Sequence, residues 1–211
     1  MMKAVVIDYG LSNLLSVKRA LEYCGAQVTV SADPADVSAA DRLVLPGVGA
    51  FADGMAGLRA RGLIGPLRGA AAAGTPLLGI CLGMQMLFDA SEEFGRHEGL
   101  GLIAGGVVRI PELDTGGRRQ TVPHIGWSAL TLCGGYAGTP LRGFPAGSET
   151  YFVHSFEAKP DDPADVVALC AYGGRQLCAA AKSAAGNVLG CQFHPEKSGE
   201  AGLCILREFL R

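Results

Sequence analysis

The 211-residue chain is 49% hydrophobic and 18% charged, with a formal net charge of −2. That length and composition predict one well-buried domain over residues 1–211 and exclude an extended disordered chain; so small a charge argues against nucleic acid or an anionic membrane as partner. No apolar run approaches the ~20 residues that cross a bilayer, and seven scattered cysteines without CxxC pairing fit a reducing, cytoplasmic setting.

The opening MMKAVVIDYG becomes charged too soon for a secretory segment, and Lys3–Ile7 within it reads as a short buried strand. Leu14, Val17 and Leu21 follow at helical spacing, with Gly25 as the stop. Residues 28–30 and 43–45 read as strands, the second ending in Pro46. A Gly- and Ala-rich helical region covers 52–73, a strand 75–80, and helical composition 82–89. Strands alternating with helices predict an α/β fold, with a mostly parallel twisted sheet and helices on both faces. The second half is strand-rich: 102–110, 151–156, 166–171, 177–181 and 188–193 read as strands, and a helix over 201–210 closes the chain. Two arginine groups (Arg59, Arg61 and Arg68; Arg118 and Arg119) read as solvated faces, and Cys24, Cys170, Cys178 and Cys204 as small packed hydrophobes.

Chemistry concentrates in four segments. Gly79-Ile80-Cys81-Leu82-Gly83 follows an apolar strand and opens a helix, the thiol version of the G-x-nucleophile-x-G elbow. Such a turn exposes the sulfur at the carboxyl end of the sheet and sets it against a helix N-terminus, which favours negative charge. Gln192-Phe193-His194-Pro195-Glu196 follows the last strand. A His there reaches the same rim if the two strands run parallel, with Glu196 turning back to orient the ring. Pro46-Gly47-Val48-Gly49 offers Gly-flanked backbone N–H groups which, with Leu82 N–H, stabilise an oxyanion. Gln85 lies one helical turn beyond Cys81, and His154, Ser155 and Phe156 end a strand where backbone groups can hold an amino acid's carboxylate and amine. Structural readings of Gln85 and His154 stay open on the sequence alone. No zinc-spaced ligand cluster occurs, and no metal or organic cofactor is expected.

With these segments together, the chain resembles the class I (triad) glutamine amidotransferases. Within them VVIDYGLSNLLSV, LPGVGAF, GICLGMQMLF, PHIGWS, YFVHSF and GCQFHPEKS are similar to the glutaminase subunits of imidazole glycerol phosphate synthase, which serve histidine biosynthesis. The resemblance implies Cys81 as nucleophile, His194 as base and Glu196 as its partner. It implies Gly47, Gly49, Gln85 and the His154–Phe156 strand end as glutamine contacts, with Leu82 N–H and the Val48 peptide at the oxyanion. It also implies a heterodimer with a (β/α)₈-barrel cyclase that receives the ammonia, faced by Asn13, Trp127, Tyr151 and Lys197. Ser128 departs from the pattern, since the family usually has Asn after the Trp, and Cys191 before QFHPE is read as packing. The alternatives are another ammonia-donating glutaminase, such as one serving pyridoxal phosphate synthesis, a cysteine hydrolase of similar fold, and a non-catalytic regulatory subunit.

Overall fold

The computed structural model describes residues 2–11 and 13–211. In chain order its elements are β1 Lys3–Ile7, α1 Leu14–Tyr23, β2 Gln27–Ser31, α2 Pro34–Ser38, β3 Arg42–Gly47, α3 Phe51–Ala60, α4 Ile64–Ala72, β4 Leu77–Cys81, α5 Leu82–Met86, β5 Phe88–Ser91, β6 His97–Glu98, β7 Ile103–Arg109, β8 His124–Leu132, β9 Glu149–His154, β10 Phe156–Pro160, β11 Val166–Tyr172, β12 Arg175–Lys182, β13 Val188–Cys191 and α6 Gly199–Phe209.

Nine strands form the main sheet in the order β2-β1-β3-β4-β13-β12-β11-β8-β9. The half from β2 to β13 is parallel, and every pairing from β13 outward to β9 is antiparallel. The sheet is therefore mixed, its parallel character confined to the half built from alternating strands and helices. A four-stranded sheet, β10-β7-β5-β6, accompanies it.

Alternation along the inner strands explains why these segments are apolar on every residue. Ala4, Val6, Val44, Leu78 and Ile80 join Val17 and Leu21 of α1 and Ile205, Leu206 and Phe209 of α6 in one core. Val5, Ile7, Leu43, Leu45 and Leu77 join Phe51, Met55 and Leu58 of α3, Leu67 of α4 and the small sheet in the other. Helices thus cover both faces, as parallel strands require, and each fully buried Leu or Ile contributes about 1.5–3 kcal/mol. Among the described residues, no helix is long and apolar enough to cross a membrane.

Several elements differ from the expectation. The helix over 82–89 is a single turn, Leu82–Met86; Phe88–Ser91 instead pairs in parallel with β7, a tertiary contact that overrides local helical composition. The strand over 151–156 is two strands, β9 in the large sheet and β10 in the small one, broken at Ser155. β8, whose alternation is interrupted by Gly126, has no counterpart among the expected strands. The expected stop at Gly25 is present, with φ +95° and its N–H bonded to Glu22 O. Cys170, Cys178 and Cys191 are buried as expected, whereas Cys24 and Cys204 are half-buried. Arg68 is more than a solvated charge, since Nε donates to Leu100 O at 2.9 Å.

Close approach fixes the elbow. A Cβ at Gly83 would lie 1.8 Å from Leu45 O, and one at Gly47 would lie 2.4 Å from the Tyr9 hydroxyl. Gly83→Ala should destabilise the fold by about 1–3 kcal/mol or more. Gly69→Ala on the exposed face of α4, where a Cβ meets nothing within 4 Å, should stabilise it by about 0.5–1 kcal/mol. Urea unfolding midpoints measure both, and a Gly83→Ala midpoint equal to that of the unsubstituted protein would contradict the packing argument.

Candidate active site

Register places the chemistry. Cys191 of β13 lies opposite Ile80 of β4, and Gly47 of β3 lies opposite Cys81. The elbow, the 192–196 turn and the Val48–Gly49 loop therefore leave the sheet side by side, at the carboxyl ends of adjacent parallel strands, where open α/β sheets form clefts.

Cys81 has φ 55° and ψ −112°. Such a conformation costs a non-glycine residue about 1–3 kcal/mol and persists only where its surroundings enforce it. Its sulfur receives a hydrogen bond from Gln192 Nε2 and donates to Val153 O, both at 3.8 Å. The α5 helix behind it has only five residues.

His194 is held by backbone before its ring does anything. Its N–H donates to Tyr151 O at 3.0 Å, and the Ser198 hydroxyl donates to its carbonyl at 2.6 Å. Nδ1 lies 2.8 Å from Glu196 Oε1, and both side chains are almost wholly buried, at 2% and 1% exposure. An ionised carboxylate only accepts, so Nδ1 carries a proton in either charge state of the ring, and Nε2 is the nitrogen that gains and loses one. Nε2 is buried with no hydrogen-bond partner, and the Cys81 sulfur is close enough to act on its titration. Burial disfavours the imidazolium, but hydrogen bonding and charge from Cys81 and Glu196 outweigh it and raise the ring's pKa to about 9.

The cavity at this rim has a volume of about 280 Å³ and is lined by residues including Val48, Gly49, Cys81, Leu82, Gln85, Glu93, His154, Ser155 and Phe156. Gly47 lies below it instead, against Tyr9, Leu82 and Gly83. Gln85 lines the cavity, but its amide nitrogen is committed to Phe156 O (3.1 Å) and Gln192 Oε1 (3.0 Å), leaving Oε1 for a ligand. Sequence reasoning missed Glu93, the one carboxylate in the lining among the described residues, whose Oε2 accepts from Phe51 N–H at 2.6 Å. It also missed Gln192, whose place within QFHPE was the available signal.

Trp127, 53% exposed, meets Tyr151 edge to face at 5.9 Å. Lys197 Nζ lies over the same Tyr151 ring, 5.9 Å from its centroid, and Tyr151 in turn approaches His194 at 6.5 Å. Asn13 precedes α1 without a side-chain cap, and α1 packs against the Pro195–Lys197 turn. Exposed Leu15, Val48 and Ile125 add apolar surface. Among the described residues, no group of three or more His, Cys, Asp or Glu is placed to hold a metal ion.

The Glutamine amidotransferase class-I family model matches residues 5–211. The chain belongs to the class I glutamine amidotransferase family. It is 49% identical over 209 residues to imidazole glycerol phosphate synthase subunit HisH 1 of Legionella pneumophila (strain Lens), covering 98% of this chain and 97% of that protein. It is 47% identical to the HisH subunit of Syntrophotalea carbinolica, covering 97% and 98%, and 49% to that of Natronomonas pharaonis, covering 99% and 94%. Among solved structures, PurLQS from Thermotoga maritima superposes with a TM-score of 0.75 at 22% identity, over 99% of this chain and 97% of that one. A glutamine amidotransferase from Thermotoga maritima gives 0.59 at 17%, over 92% and 76%. At those identities the two structures bear on the fold alone, which they share with this amidotransferase.

Two histidines give stability opposite pH dependences. His194 is raised from 6.5 to about 9, so its contribution is full below about pH 6.5 and is lost as pH rises through 9. His154 is lowered to about 4, chiefly by burial, so its contribution is full above about pH 6.5 and is lost as pH falls through 4. Urea unfolding should show Glu196→Gln flattening the alkaline limb and sparing the acid one. Equal alkaline limbs in both proteins would contradict the Glu196 assignment.

Proposed function

We propose that this amidotransferase is the glutaminase subunit of imidazole glycerol phosphate synthase, hydrolysing glutamine to glutamate and passing ammonia to a cyclase partner in histidine biosynthesis. The observation carrying the reading is the arrangement of Cys81, His194 and Glu196, with Cys81 lining an amino-acid-sized cavity. Relatives bearing the synthase subunit name at 45–49% identity support it over the pyridoxal phosphate alternative.

In this reading glutamine enters with its side-chain amide against Cys81. With the thiol proton taken up by His194 Nε2, the sulfur attacks the amide carbon, forming a tetrahedral oxyanion. Leu82 N–H and the Val48–Gly49 backbone stabilise that charge, each donor being worth about 2.7–4 kcal/mol. His194 returns the proton to the amine, the C–N bond breaks, and ammonia leaves behind a glutamyl thioester. Water, losing its proton to the same ring, hydrolyses the thioester to glutamate and free thiol. Glu196 holds the Nδ1–H tautomer and stabilises the imidazolium throughout. Glu93 is assigned to the α-ammonium of glutamine, while Gln85 Oε1 and the 154–156 strand end hold the rest of its amino-acid head. The subunit works without metal or cofactor.

The partner, a (β/α)₈-barrel cyclase, docks on the rim of Asn13, Trp127, Tyr151 and Lys197, in a cytoplasmic heterodimer. Lying between Trp127 and His194, Tyr151 gives the partner a route to the catalytic ring. The Gly47–Val48–Gly49 peptide turns its N–H to the oxyanion only when the partner holds its acceptor, which prevents idle hydrolysis; equal glutaminase rates with and without acceptor would dispose of that gate.

Cys81→Ala in the complex should lower glutamine-dependent turnover by at least about 10⁴-fold while ammonia-dependent synthesis persists. Glutamine-dependent turnover that survived would remove Cys81 from its role. Glu93→Gln, which keeps an oxygen for Phe51 N–H, should raise the KM for glutamine by roughly 10–100-fold, the range for a hydrogen bond to a charged group.

A further inference from the structure

β8 and β9 pair so that His124 stands opposite His154, and the two rings touch. His154 Nδ1 lies 2.8 Å from Phe156 O, His154 Nε2 lies 3.1 Å from His124 Nδ1, and His124 Nε2 lies 3.0 Å from Ser128 Oγ. Both imidazoles are buried, at 5% and 2% exposure. His124 is sandwiched between Phe152 and Tyr172, with ring centroids 4.9 and 4.1 Å away.

Only one arrangement of protons satisfies all three contacts with neutral rings. A carbonyl oxygen only accepts, so Nδ1 of His154 carries its proton and Nε2 presents a lone pair. Nδ1 of His124 must then donate to that lone pair, which leaves Nε2 of His124 an acceptor. Ser128 is the group that donates to it. Burial lowers the pKa of both rings, which keeps them neutral near pH 7.

The inner end of this chain is a wall of the substrate cavity. Phe156 O accepts from His154 and also from Gln85 Nε2. Gln85 continues to Gln192, and Gln192 to the Cys81 sulfur. We propose that Ser128, His124 and His154 form a one-directional hydrogen-bond relay that fixes the 154–156 corner for glutamine binding, with Ser128 as a positioning residue. The proposal rests on the glutaminase reading for its consequence, though not for its geometry.

The first test is direct and independent of turnover. In protein labelled with ¹⁵N-histidine, long-range ¹H–¹⁵N spectra at pH 7 should place the proton of both His124 and His154 on Nδ1, the tautomer that free neutral histidine disfavours. Either ring protonated on Nε2 would overturn the relay. The second test separates positioning from mere packing. In the complex with its partner, Ser128→Ala should raise the KM for glutamine roughly two- to tenfold, the range for one hydrogen bond, with kcat within about twofold. Ser128→Thr, which keeps the hydroxyl, should restore it. An unchanged KM in Ser128→Ala would overturn the positioning role. Absence of glutamine turnover by the unsubstituted complex would overturn the glutaminase reading instead, whatever the tautomers show.

Discussion

The parallel pairing of β4 with β13 is what brings the reactive groups together. These strands are more than a hundred residues apart in sequence, yet Gly79 stands opposite Gly190 and Ile80 opposite Cys191. Their carboxyl ends therefore release the elbow and the 192–196 turn as neighbours. A register slip of one residue would carry every side chain of β13 to the opposite face. Fully apolar burial on both sides resists that, because Val188, Leu189 and Cys191 all sit in filled cores. Packing free energy distributed over two cores thus fixes the alignment of two reactive side chains.

Around that pairing the site uses polar contacts sparingly, and most are committed within the protein. Gln85 and Gln192 connect the cavity wall to the sulfur, His194 and Glu196 are sealed from solvent, and the His124–His154 pair braces the far corner. In so dry an environment each contact is worth more than it would be in water, and each omission costs more. Two atoms of the triad remain without partners, His194 Nε2 and Glu196 Oε2. The first is the nitrogen through which the proposed chemistry moves its proton. For the second, the structure offers no physical account.

What the sequence revealed follows from what it encodes locally. Buried parallel strands are continuous apolar runs, so β1, β3, β4 and β13 were readable without tertiary information. The elbow was readable because its glycines are forced by contacts as close as Gly83 to Leu45 O, and His194 and Glu196 because they are two residues apart on one turn. By contrast, β5 exists only through pairing with β6 and β7, and local composition there favours helix. Glu93 reaches the cavity by capping a helix that begins 42 residues earlier. His124 reads as an ordinary histidine beside a proline, since its partner is defined only by the β8–β9 register.

The chemistry stands or falls with Cys81 as the nucleophile and His194 as its base, and covalent labelling probes both at once. Incubation with a glutamine-like chloroketone, followed by intact mass measurement and peptide mapping, should give one adduct, on Cys81, prevented by excess glutamine and slowed at least about a hundredfold in His194→Asn. An adduct on any of the other six cysteines, or labelling of Cys81 at the same rate without His194, would contradict it.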